Sequence, residues 1–329
     1  MRAIAGTLLS VAALALGSGR AAPGRLALLG FQPEEAPLSA IAQSRGALTT
    51  VAVDGVNLES SGEAVGRPTA AALRQLAAAH RAGLPAVLVF GNYDSAIEDF
   101  SEPLANRLLG NPLAILAVAG TLAHVVATEG WSGVNVDLES LAPRDSAGLT
   151  AFVEALRAAL GPARTLTIDI SNATSEAQFA AAGYDLASLG RSVDAVVLMG
   201  YDQHGPWEAT PGPVGALWWQ RAGLGVLDRF VAPSKILLGV AGYGYAWRLH
   251  SRPMLSDAQA RALVRSHHAR ARYVPSLGEW TAHLNDGSVV WWSDARSISR
   301  RVALARSDHL QGVAVWALGL ADPLGSPRR

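Results

Sequence analysis

Three polar side chains at alternating positions, Asn135, Asp137 and Glu139, are the residues of this sequence best suited to chemistry. They lie in the run Gly133-Val134-Asn135-Val136-Asp137-Leu138-Glu139. Successive side chains of an extended strand point to opposite faces. One face therefore carries an amide and two carboxylates, and the other carries Val134, Val136 and Leu138. Burying neighbouring carboxylates is costly unless they are hydrogen-bonded or partly protonated, and that cost points to function. An amphipathic edge strand with one wet face is the other reading of the heptapeptide. Amide, acidic and aromatic residues recur where other apolar runs end: Phe31, Asp54, Asn92, Ser171 with Asn172, Tyr201 with Asp202, Tyr243 and Trp316. Aromatic rings present flat apolar faces with polar edges, as a sugar ring requires. Acids beside aromatics suggest carbohydrate chemistry more than phosphate or hydride chemistry.

The elements that must position these residues are short apolar runs separated mostly by helical stretches. Strands are expected at 25–31, 48–53, 86–90, 133–139, 165–170, 193–199, 236–240 and 312–316. Helices are expected at 70–82, 102–109, 112–128, 145–160, 175–182, about 214–230 and 295–305. Eight such strands with helical connections imply a parallel sheet covered on both faces, closing into a (β/α)8 TIM barrel. Residues 243–292 break the pattern and read as a small α+β insertion between strands seven and eight. An open doubly wound sheet is the alternative, but no Gly-x-Gly-x-x-Gly turn follows an early strand. In a barrel of this kind the strand ends gather at one mouth, where the active site lies.

Composition narrows the functional classes. Half of the 329 residues are hydrophobic and 16% are charged, which suits a large core. Zero formal charge gives no basic field for nucleic acid. The absence of cysteine excludes disulfides, thiolate metal sites and cysteine nucleophiles. Lys235 is the sole lysine, and no well-placed Schiff-base lysine or cluster of metal ligands supports a lyase or aldolase. His204 and the pair His267-His268 suit no common zinc spacing. Arg2, the apolar run from Ile4 to Leu16 and the small residues up to Ala22 read as an export signal over 1–22, followed by the body of the protein over 23–329. A retained N-terminal anchor is the other reading of that segment. No further stretch is expected to span a membrane.

The run Ser132 to Glu139 resembles the signature Asp-x-x-Asp-x-Asp-x-Glu of the family 18 glycoside hydrolases, in the Asp-Gly-Val-Asn-x-Asp-x-Glu form of bacterial and spore peptidoglycan N-acetylglucosaminidases. Met199-Gly200-Tyr201-Asp202 resembles the family's Met-x-Tyr-Asp, and Leu238 to Trp247 and Gly312 to Pro323 resemble the segments that follow it. Ser132, Asn135 and Ala321 depart from the usual pattern. The resemblance implies a secreted or cell-envelope enzyme, a monomer that acts on peptidoglycan or chitin without metal or cofactor. It is expected to retain configuration at β-1,4-linked N-acetylglucosamine, with the substrate's own acetamido group as nucleophile. Glu139 becomes the acid and base, Asp137 the acetamido partner and Tyr201 a donor to the acetamido oxygen. Asn135 is expected to hold Asp137 and, not being ionisable, to leave it more readily charged. Trp316 floors the sugar, with Met199 beneath. Asp202, Tyr243, Phe31 and Asn92 complete the expected binding set. A silent, lectin-like barrel is the alternative, against which the retained acids weigh.

Overall fold

The computed structural model describes residues 26–247 and 254–325, so the export signal read at 1–22 lies outside the described residues. Eight parallel strands close into a barrel: Ala27–Gln32, Thr50–Asn57, Ala86–Gly91, Gly133–Asp137, Thr165–Ser171, Ala195–Met199, Ile236–Ala241 and Gly312–Trp316. The strands lie side by side in chain order, and the eighth closes on the first. Their outward Val, Leu and Ile side chains pack against the surrounding helices. Close approach demands small residues at places: a Cβ on Gly133 would stand 1.9 Å from the Thr165 carbonyl oxygen of the next strand.

The helices start and stop where the sequence provides caps. Thr69 accepts the Ala72 N–H ahead of helix Ala70–Arg81. Asn111 accepts from Leu113 and Ala114 ahead of helix Pro112–Glu129, which ends at Gly130 with φ of 88°. That helix is apolar and long enough, at 18 residues, to cross a membrane by length and composition, which corrects the expectation that no second stretch qualifies. Its stripe of Ile115, Val118, Leu122, Val125 and Val126 is buried against the barrel. The helix expected near 214–230 is confined to Leu217–Leu227, and short helices at Ser39–Ser44 and Leu186–Ser192 were not anticipated. Strand two runs on to Asn57 through an irregularity between Asp54 and Val56.

The interior of the barrel is layered. Leu29, Phe31, Ala52, Val87, Val89, Ala195, Val197, Leu237 and Ala314 fill it with apolar side chains. Inward positions near the ends of strands two, four and five are instead Asp54, Asn135, Asp137, Thr167 and Asp169. The insertion after strand seven is a five-stranded antiparallel sheet with helix Asp257–Ser266 on one face. Its first strand, Tyr243–Trp247, follows barrel strand seven directly and sets Tyr243 and Tyr245 beside Asp202. Arg261 on the insertion's helix pairs with both oxygens of Asp322, at 2.9 and 2.5 Å, and so ties the insertion to the chain after strand eight.

Candidate active site

Strand four delivers the acids. Asp137 is its last residue, and Glu139 lies two positions beyond, half-buried. Asn92, just past strand three, fixes this extension. Its side-chain oxygen accepts the Glu139 N–H at 2.9 Å, and its nitrogen donates to the Glu139 carbonyl at 2.9 Å and the Ser101 carbonyl at 3.0 Å. Asn92 is fully buried with its amide occupied, so it brackets the backbone of the acid and is not placed to touch a sugar.

The electrostatics of the cluster are one-sided. Burial pushes the Asp137 carboxyl up to about 7. Glu139 is also raised, first by burial and then by the charges of Asp137, Asp202 and Asp99. Asp54 is raised by burial and by Asp137. None of these acids takes part in an ion pair among the described residues. Even without an ionisable neighbour at position 135, burial alone lifts the Asp137 carboxyl well above its ordinary range. Asn135 does not hold Asp137. Its amide donates to Thr167 Oγ1 and to Asp169 Oδ1, both at 2.8 Å, while one oxygen of Asp137 is buried without a partner.

The opposite side of the mouth comes from the ends of strands six, seven and eight. The half-buried Tyr201 has no hydrogen-bond partner for its hydroxyl among the described residues, and its high pKa reflects burial together with the charges of Asp169, Asp137, Glu139 and Asp202. That hydroxyl is a free donor facing the acids. Asp202 sits at φ of 59°, a left-handed conformation that is strained for a residue with a side chain. The Tyr243 and Tyr245 hydroxyls donate to its Oδ1 at 2.5 and 2.8 Å. Tyr243 is fully buried with its hydroxyl occupied, so it holds Asp202 and is withdrawn from sugar contact. Trp316 is half-buried at the end of strand eight, and Phe31 stacks obliquely beneath it with ring centres 5.2 Å apart. Phe31 is fully buried and supports Trp316 without reaching the mouth. Met199 is 8% exposed and packs within the wall.

Two residues outside the expected binding set also converge here. Asp169, on strand five, is buried beside Asn135, and its carboxyl is raised by burial and by the charge of Asp137. Trp207 is 62% exposed on the loop after strand six and stands edge-on to Tyr245 at 5.4 Å, a second aromatic surface at the mouth. Buried acids able to carry a proton, a free tyrosyl donor and half-exposed aromatic faces form a site for acid–base chemistry on a sugar.

Comparison with known proteins agrees with this geometry. The sequence profile of the glycosyl hydrolases family 18 matches residues 43–321. The glycosylase YvbX of Bacillus subtilis is 26% identical over 283 residues, which cover 83% of this chain and 81% of that protein. The cortical fragment-lytic enzyme of Bacillus anthracis is 26% identical over 257 residues, and the aligned part spans 72% of this chain but 57% of the relative. Among solved structures, a chitinase from Chromobacterium violaceum superposes with a TM-score of 0.81 at 27% identity, over 90% of this chain and 95% of that one. With the barrel, the acid-bearing strand four and the profile in agreement over most of its length, the chain belongs to the family 18 glycosyl hydrolases.

Proposed function

We propose that the protein is a secreted retaining hydrolase of β-1,4-linked N-acetylglucosamine glycans, in peptidoglycan or chitin, with Glu139 as acid and base. The observation that carries this reading is a half-buried Glu139 beside the buried Asp137 and Asp169, with no ion-paired cation among the described residues, across from the free hydroxyl of Tyr201. An acid whose pKa burial and neighbouring charges raise is the proton donor to the leaving glycosidic oxygen, and the resulting carboxylate takes a proton from water in the second half of the reaction. Asp137, in its charged form, accepts the acetamido N–H and turns the carbonyl oxygen toward the anomeric carbon. Tyr201 donates to that oxygen and stabilises the charge it transfers. Trp316 underlies the sugar ring and Trp207 flanks it. Asn92 aligns Glu139 through its backbone.

Turnover tests the reading. The protein is incubated with purified peptidoglycan and, separately, with chitin oligomers, and the products are identified by mass. Products terminating in a reducing N-acetylglucosamine are expected from one or both. Intact glycan in both incubations, with oligomer binding retained, would identify a lectin-like barrel instead. Secretion rests on residues 1–22 and is checked by the mass of the protein recovered from the host's culture medium or envelope, where loss of that segment is expected.

A further inference from the structure

Strands four and five run parallel with Asn135 opposite Thr167 and Val136 opposite Ile168. Continuing that register by one residue sets Asp137 beside Asp169 on the inward face, near enough for the charge of Asp137 to raise the Asp169 carboxyl. Asp169 is 3% exposed and Asp137 8%. Only Asp169 receives the Asn135 amide, and Asn135 has no second N–H for Asp137, because its other one is held by Thr167 Oγ1. One oxygen of Asp137 and the oxygen of Asn135 are left buried and unpartnered. The titratable groups facing the pair are Asp54 from strand two, Glu139 beyond strand four, Tyr184 beyond strand five and Tyr201 beyond strand six. None of them is a cation. Two adjacent buried carboxyls in such surroundings cannot both ionise.

We infer that Asp169 is a positioning residue for Asp137: the two carboxyls share one proton across strands four and five, and Asn135 fixes the orientation of Asp169. Asp169 retains the shared proton when Asp137 turns, charged, toward the acetamido group. The inference rests on the reading of the site as a hydrolase, and its test separates the two.

The Asp137 carboxyl carbon is followed by 13C NMR across pH in the unliganded protein, and kcat and KM are measured on a chitin oligomer. The native protein is expected to give a two-step titration at Asp137, because two coupled acids release their protons in two macroscopic steps. Asp169→Asn is expected to remove one step from this titration, leaving only what coupling to Glu139 and Asp54 produces, and to lower kcat by about tenfold or more, with KM changed less than about threefold. The double variant Asn135→Asp with Asp169→Asn moves the acid to the neighbouring position in strand four. It is expected to restore the lost titration step and to bring kcat within about threefold of the native value. A single step in the native protein, or native kcat in Asp169→Asn, overturns the inference. So does a loss in Asp169→Asn that the double variant leaves unrepaired, because that is the mark of a merely structural residue. A titration step that disappears in Asp169→Asn, in a protein that cleaves no glycan, supports the shared proton and overturns the hydrolase reading instead.

Discussion

Two sets of buried acid stand within one chain and are treated in opposite ways. Glu279, on the insertion, is fully buried, and its oxygens accept the Val214 and Gly215 N–H groups at 2.8 Å each and the Ser293 hydroxyl at 3.1 Å. Arg301, fully buried as well, adds its guanidinium at 3.4 Å and also donates to the carbonyls of Gly215, Gly278 and Leu277. This acid is matched, and it fixes the insertion against the loop after strand six. At the barrel mouth Asp54, Asp137, Glu139 and Asp169 form no ion pair among the described residues, and buried oxygens of Asp54 and Asp137 have no hydrogen-bond partner there. Burial is the leading cause of a raised pKa in both places, but only at Glu279 do a cation and several donors oppose it. The difference teaches that an acid buried for structure brings its partners with it, whereas an acid buried for chemistry leaves room for a substrate to supply them.

Substitutions that remove one side of this contrast should have separable effects. Glu139→Gln removes the working proton and no structural partner. Its kcat is expected to fall by about 10²–10⁴-fold, with melting at or above the native temperature, as measured by reducing-sugar release and calorimetry. Arg301→Met strands Glu279 in the interior and is expected to lose about 3–5 kcal/mol in denaturant unfolding. The double change with Glu279→Leu should recover much of that loss, because it removes the unpaired charge. Tyr201→Phe deletes only the free donor across the mouth, and kcat should drop by about 10–100-fold while unfolding is unchanged. The smallest effect concerns pH. The Asp137 carboxyl is held at about 7 in the folded chain, above its ordinary value of 3.8, so it favours folding most at low pH and that contribution fades as pH rises toward 7. Asp137→Asn should therefore melt close to native near pH 4 and a few degrees higher than native above pH 7, in parallel thermal scans.

Much of the architecture is legible along the chain because it is written in local pattern. Eight apolar runs and capped amphipathic helices define the barrel, and alternation alone puts Asp137 and Glu139 on one face. What is not legible depends on register and on partners distant in sequence. Asp169 sits in Thr-Leu-Thr-Ile-Asp-Ile, which reads as an ordinary alternating strand until strand five is set beside strand four. Asn92 and Tyr243 look like sugar ligands because they lie at strand ends. Their hydrogen bonds, to Glu139 47 residues away and to Asp202 41 residues away, are invisible locally. Phe31 is misread for a related reason: the ring of Trp316, which arrives from the far end of the chain, covers it.

In the proposed mechanism Glu139, as proton donor, and the substrate's own acetamido group together cleave the glycan. The anomeric form of the sugar released in the first minutes from an N-acetylglucosamine oligomer, read by proton NMR before mutarotation, tests this most directly. The β-anomer is expected as the first product. Initial release of the α-anomer would contradict the mechanism.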